Sequence, residues 1–261
     1  DFCLSRGLGD VYKRQINSRQ TAKWFEGAPG YRPTLNSYMW ADANAISSIA
    51  KLSGDLETVN TFNQKAATIK SNFQKKNWDP KRDFFFHRFA NDERDGIKAN
   101  TLTYETGKFA GNPHGREQIG FVPWYFNMPD AGFESAWKFL MDSNYFYSPY
   151  GPTTVEKMDP LYNVARNCCA WSGNAWPFAT SQTLKGMANL LRNYQQPHVT
   201  KNDYIKLLDN FANTHLKDGI PFIGEANHPE TGSWSGHDYV GHSEHYFHSS
   251  YIDLVITGVM G

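Results

Sequence analysis

The chain has 261 residues, 40% of them apolar and 15% aromatic, enough to bury a large core, so one big domain or part of one is expected. Its formal net charge is zero and it carries no Lys/Arg run, which removes nucleic-acid backbones and anionic membrane surfaces as evident partners. No apolar stretch approaches the roughly 20 residues that span a bilayer, and three cysteines, two of them adjacent (Cys168, Cys169), give neither a disulfide framework nor a CxxC zinc spacing.

In chain order, residues 1–15 come first. Their text, CLSRGLGDVYKRQ, has no clear periodicity and resembles translated adapter sequence from metagenomic assemblies. It is set aside from fold reasoning, and residues 16–261 are read as the domain. On that reading the authentic N-terminus is missing, and the abrupt end at VITGVMG points to a cut C-terminus.

Roughly 36–52 reads as a helix with apolar residues around much of its circumference. Leu56, Val59, Phe62, Ala66, Ile69 and Phe73 then recur at steps of three and four, which predicts an amphipathic helix with one buried stripe. Trp78–His87 (WDPKRDFFFH) reads as a β-hairpin around an Asp-Pro turn. A second well-buried helical segment is expected over roughly 116–126, followed by an amphipathic one carrying Phe133, Ala136, Trp137, Leu140 and Met141. The pattern repeats with a buried segment over 173–194 and an amphipathic one through Tyr204, Leu207, Leu208 and Phe211. The last segment, 246–260, has Ile252, Leu254, Val255, Ile256, Val259 and Met260, leaving little room for a solvated face.

The connections alternate as the helices do. From a buried helix to an amphipathic one they are short: Ser53-Gly54, about Asn127–Pro129, about Gln195–Thr200. In the other direction they are long and rich in Gly, Pro, Trp and His: roughly 77–115, 145–172 and 218–245. Long connections in a compact domain are usually functional. An inner ring of helices surrounded by an outer ring gathers the long loops at one end, near the N-termini of the inner helices, and the cleft is expected there. About seven helices are visible where a closed ring of six pairs needs twelve, so the toroid is expected to be incomplete.

Six stretches then occur in order: GYRPTLNSYMWADANAI, REQIGFVPWYFNMP, SPYGPTTVE, CCAWSGNAWPFATSQTL, GEANHPETG and HSSYIDLVITGVMG. As a set, covering about residues 24–261, they resemble the inverting α/α-toroid (six-hairpin) glycosidases of the mannosylglycerate-hydrolase and processing α-glucosidase I type. The resemblance implies an all-α (α/α)6 toroid, hydrolysis of an O-glycosidic bond with inversion, a carbohydrate substrate and no cofactor. The W-x-G-x-x-W run (Trp171, Gly173, Trp176) is similar to the inner-helix motif of these enzymes. E-x-x-x-P-x-T-G (Glu225, Pro229, Thr231, Gly232) resembles the loop that bears their general base.

Inverting hydrolysis needs two carboxyl groups about 6.5–9.5 Å apart, one to protonate the leaving oxygen and one to activate water. The resemblance makes Glu225 the candidate base, on a loop braced by Gly224, Pro229 and the Thr231-Gly232 turn; an unaided loop glutamate would read as a solvated surface residue. The candidate acid is Glu26, the carboxylate in TAKWFEGAPGYRP, although loss of the acid with a missing N-terminus fits equally. Asp42 suits a polar anchor or a sugar-hydroxyl ligand. Tyr31, Arg32 and Asn36 form a polar cluster suited either to hydroxyl recognition or to capping and loop anchoring. The resemblance implies that Arg116, Glu117 and Trp124 face the sugar, while the same residues suit a structural salt bridge and a core ring. Trp171, at a loop–helix junction, is expected to line the subsite, and Trp176 either joins it or packs between helices. Flat apolar faces of this kind suit sugar rings.

Two rival chemistries share the sequence. His242, His245 and His248 are spaced by three, yet no HExxH pattern accompanies them, so no metal site is expected. Toroids also host polysaccharide lyases, for which Arg166, Tyr246 and His248 supply a possible carboxylate neutraliser and proton acceptors; His248 is also a candidate sugar ligand. A third reading is a non-catalytic carbohydrate-binding domain.

Overall fold

The computed structural model describes residues 4–5, 30–92, 98–164, 171–222, 224–234 and 250–260. Helix α1, Pro33–Ser53, opens with proline at its first position and closes on Gly54, whose left-handed φ of 77° returns its N–H to the Ala50 and Lys51 carbonyls. Helix α2, Leu56–Asn77, follows at once, capped by Asp55, which accepts from the Thr58 N–H at 3.0 Å. The two pack as an antiparallel pair.

The expected hairpin follows. Strand β3 (Trp78–Asp79) pairs with β4 (Phe84–Phe85) in the register Trp78↔Phe85, and the Asp79 carboxylate accepts from the turn N–H groups of Lys81 and Arg82. In a second small sheet β2 (Gly30–Tyr31) lies between β1 (Leu4–Ser5) and β5 (Arg88–Phe89), all antiparallel. A 3-10 turn, Gln118–Phe121, runs into the short helix α3, Val122–Tyr125. Helix α4 is Pro177–Asn193 and α5 is Lys201–Asn213, the latter started by a reciprocal capping box between Thr200 and Asp203. A hairpin of β6 (Leu216–Lys217) and β7 (Ile220–Pro221) turns on Asp218 and Gly219, both at positive φ. Helix α6, Ser250–Leu254, continues as a wider π turn over Val255–Met260.

Elements α1, α3, α4 and α6 pack successively as inner members, with α2 outside α1 and α5 outside α4. This is the inner–outer alternation of an all-α toroid. Phe73, Phe84, Phe85, Phe121, Trp124, Trp137, Leu184, Met187, Leu207, Phe211 and Leu254 form the core between the layers.

Three expectations change. Residues 133–141 form a 3-10 turn, Glu134–Phe139, rather than an amphipathic α-helix; apolar residues spaced by three satisfy either geometry, and six residues are too few to favour the α form. Helix α4 begins at Pro177, not 173, because Gly173–Trp176 is held extended by neighbouring loops. Helix α1 is not buried on most sides, since Met39, Ile46, Ile49 and Leu52 are exposed, as are Ile252, Ile256, Val259 and Met260 at the other flank.

Candidate active site

The segments that precede the inner elements lie side by side. Glu117 pairs with Val155, Thr153 with Ala175, and Ala175 with Asn227. Backbone hydrogen bonds secure the row: Gln118 N to Thr154 O at 2.9 Å, Thr154 N to Asn174 O at 3.2 Å, and reciprocal bonds of Ala175 and Asn227 at 3.0–3.1 Å. Gly173 is needed in this row because a Cβ would stand 2.8 Å from the Asn163 carbonyl oxygen.

Trp171 and Trp176 stack with ring centroids 4.0 Å apart, and Ala226 packs against the pair. Glu225, the neighbour of Ala226, therefore stands at the same end of the toroid as Trp171, and it is buried at 7% exposure. Its loop is braced as the sequence suggested. Tyr150 N donates to Pro229 O at 2.9 Å, and the turn closes through Gly232 N to His228 O at 2.9 Å. Gly232 has φ 69°, and a side chain there would also meet the Tyr150 ring at 2.5 Å. Glu230, in the same loop, accepts from Ser148 at 2.8 Å and from Lys157 at 2.6 Å. Its carboxyl is held below the usual range by those two bonds and the Lys157 charge, which outweigh the upward push of burial.

A cavity of about 180 Å3 opens beside Trp171, lined by Thr34 and Tyr38 of α1, Gln118 with Ile119 and Val122, and Phe178, Ala179 and Gln182 of α4. A larger cavity of about 390 Å3 shares Tyr38, Phe178 and Gln182 and extends to Lys185, Asp253 and Thr257. The side-chain amide of Gln182 donates to the Tyr38 hydroxyl where the two meet.

The remaining sequence candidates divide. Glu117 is buried and lies in the paired row. Arg32 is buried beside His87, with Nη1 3.3 Å from Nδ1, and precedes α1; Asn36 is fully buried and donates to the Arg32 carbonyl at 2.8 Å. Tyr31 is half-buried in β2, with the Lys76 ammonium 5.0 Å from its ring centroid. Asp42 is exposed, nine residues into α1 and thus about 13 Å along the axis at roughly 1.5 Å per residue. That distance takes it away from the junction end.

Arg116 and Trp124 occupy the structural positions that the sequence also allowed. Arg116 donates from Nη1 to Glu156 Oε2 at 2.7 Å, from its backbone N to Oε1 at 2.9 Å, and from Nη2 to the Arg82 carbonyl at 2.7 Å. Its guanidinium lies 3.7 Å above the Phe139 ring. These groups hold Arg116 in a buried ion pair. Trp124 has no exposed surface and packs among Phe85, Trp137 and their neighbours, so it is a core ring. Glu26, Arg166, His242, His245, Tyr246 and His248 lie outside the described residues. Among the described residues no cluster of three metal-ligating side chains occurs, and no helix is long and apolar enough to cross a membrane.

Sequence reasoning missed Thr34, Tyr38, Gln118, Phe178 and Gln182. All stand in the first turns of inner elements, and polar residues recurring in helices otherwise read as buried were the available signal.

The inner and outer helices define an all-α toroid domain. The chain belongs to the mannosylglycerate hydrolase MGH1-like glycoside hydrolase domain family, which it matches over residues 5–249. A solved structure named a sialidase is 34% identical, with a TM-score of 0.79 over 96% of this chain and 21% of that one. The GH63 mannosylglycerate hydrolase from Thermus thermophilus, in complex with glucose, is 14% identical with a TM-score of 0.53, covering 92% of this chain and 49% of that one. An uncharacterized conserved protein of the same organism is 13% identical with a TM-score of 0.57, over 92% of this chain and 50% of that one. The chain thus spans about a fifth to a half of the length of these similar structures. No curated protein matches it.

Proposed function

We propose that the protein hydrolyses an O-glycosidic bond with inversion and that Glu225 is the general base. The observation that carries this reading is the position of Glu225: a buried carboxylate one residue from Ala226, which packs on the Trp171–Trp176 pair. In such a site an ionised carboxylate draws a proton from water as the water attacks the anomeric carbon, and a second carboxyl protonates the departing oxygen. Glu26 is proposed as that acid. Trp171 offers an aromatic wall for the sugar, and Tyr31, Arg32, Asn36 and Glu117 stand near enough to the starts of the inner elements to shape the entrance. The remaining sequence candidates, Trp176, His248 and Asp42, are proposed as a support for Trp171, as a further sugar ligand and as a polar anchor on α1.

The stereochemical course is the test. The protein is incubated with a panel of glycosides in which the names of the similar structures place mannosylglycerate and sialosides, and the first-formed anomer is followed by proton NMR. Inversion of the anomeric configuration is expected. A first product with the configuration of the substrate would refute the inverting reading, and an unsaturated uronate absorbing in the near ultraviolet would replace hydrolysis by elimination.

A further inference from the structure

We infer that Glu230 is a positioning residue for the general base: its contacts with Lys157 and Ser148 set the angle at which Glu225 meets the attacking water. The inference rests on the reading of Glu225 as that base.

Glu225 and Glu230 belong to one stiff loop. Gly224, just before Glu225, lies against the Trp234 indole, where a Cβ would stand 2.5 Å from the ring, and Trp234 Nε1 donates to the Leu216 carbonyl at 3.0 Å. Beyond Glu225, Asn227 is paired to Ala175 by reciprocal backbone bonds. The turn that follows closes on itself. His228 N donates to Ser233 O and Gly232 N to His228 O, both at 2.9 Å, and Glu230 N donates to His228 Nδ1 at 3.2 Å. A turn braced in this way moves as a unit, so a shift at Glu230 is passed through Asn227 to Glu225.

Two attachments hold the turn to the segment that faces it. The first runs through one residue: Tyr150 N donates to Pro229 O at 2.9 Å, Tyr150 O accepts from Asn227 Nδ2 at 3.1 Å, and its ring lies against Gly232. A single residue is a pivot, about which a turn can tilt. The second attachment is Glu230. Its Oε1 accepts from Ser148 Oγ at 2.8 Å and from Lys157 Nζ at 2.6 Å, and Lys157 is itself aimed by the Tyr147 carbonyl at 2.9 Å. These partners flank Tyr150 in the segment whose Thr153 and Val155 join the row with Ala175 and Glu117. Pivot and strut together fix the orientation of the turn relative to that row.

Magnitudes separate this role from a structural one. The side chains of the pair are partly exposed, Lys157 at 21% and Glu230 at 45%, and ion pairs in that setting add little to stability. Catalysis is less forgiving, since a misplacement of about 1 Å costs about 10²-fold. Loss of the strut therefore shows in turnover and hardly in melting.

The test measures kcat, KM and melting temperature for the parent, Glu230→Gln and Lys157→Met, with the dinitrophenyl α- and β-glycosides of glucose and mannose as substrates. Dinitrophenolate departs without a proton, so kcat reports on the water-activating side alone. Both variants are expected to lose about tenfold in kcat, with KM unchanged and melting within about 3 °C of the parent. Lys157→Met removes the strut from its other end and remains informative if Glu230→Gln does not fold. In the Glu225→Gln background, adding Glu230→Gln is expected to lower kcat by less than about twofold, because a residue that acts through the base has nothing left to position. Parent-like kcat in the folded variants, a change confined to KM or to melting, or an equal loss with and without the Glu225 carboxylate would overturn the positioning role and leave the base reading standing. Parent-like kcat in Glu225→Gln, or hydrolysis of none of these glycosides by the parent, would overturn both.

Discussion

Two neighbouring regions bury polar groups in opposite ways. Around Glu156 both carboxylate oxygens are met, Oε1 by Arg116 N and Arg82 Nη2, Oε2 by Arg116 Nη1. Nearby Asp159 accepts from the Tyr104 hydroxyl and from the backbone N–H groups of Gly115 and Leu161. Around Trp171, by contrast, three buried polar atoms have no partner. Burial alone does not mark a site. Unmatched atoms alone do not separate the two regions, since Arg82 Nη1 on the Glu156 side and the Trp124 and Trp137 indole nitrogens in the core are also buried without a partner; what distinguishes the Glu156 side is a carboxylate whose two oxygens are both held by guanidinium and backbone donors.

The largest expected effect lies on the Glu156 side and concerns pH. Burial, followed by the Arg82 charge, lowers the pKa of His114 from 6.5 to about 3, so the folded protein holds this ring neutral. A depressed histidine contributes stability that is fully present above pH 6.5 and is lost as pH falls towards about 3, in all on the order of 5 kcal/mol. Burial raises the Asp159 pKa, with the opposite sign: protonation of Asp159 adds stability as pH falls through its folded value. Urea unfolding at pH 7 and pH 4 is expected to show a drop in the parent and a smaller one in His114→Phe, whose ring keeps the contacts with Phe89 and Tyr104. Equal drops would remove His114 as the source.

Next comes Glu156→Gln, which leaves the Arg116 guanidinium buried without its counter-charge. A loss of about 3–5 kcal/mol is expected, read as a lower melting temperature, with turnover per folded molecule little changed. Stability unaffected by that change would erase the contrast between the two regions. Trp124→Phe should likewise destabilise without altering sugar affinity, the reverse of Trp171→Phe. The smallest effect, about 1 kcal/mol, is expected for Thr200→Ala, which removes the α5 capping box far from the junction row and should leave hydrolysis unchanged.

Much of this was legible in the sequence because it is local. The hairpin at Trp78–Phe85, the Gly54 stop of α1 and the Thr200 start of α5 each depend on residues within a few positions. Alternating loop lengths led to the expectation that Trp171, Trp124, Tyr31 and Glu225 share a cleft, whereas Trp124 is packed in the core. What was not legible depends on distant partners. Arg116 is claimed by Glu156 forty residues away, and Gly173–Trp176 is drawn out of helix by pairing with Thr153 and Asn227. Gln118 announces nothing by itself; only Thr183, 65 residues on, shows which end of its amide is spoken for.

Glu225 carries the central claim, and a single substitution tests it. Glu225→Gln keeps the size of the side chain and removes its charge, so the fold and hexose binding should persist while water activation fails. General-base assistance contributes about 10²–10⁴-fold, or roughly 3–5 kcal/mol of barrier at about 1.36 kcal/mol per tenfold. The expected variant keeps the melting temperature and sugar affinity of the parent and has a kcat lower by at least a hundredfold. A variant with parent-like melting that retains more than a tenth of the kcat would show that Glu225 is an ordinary buried loop carboxylate.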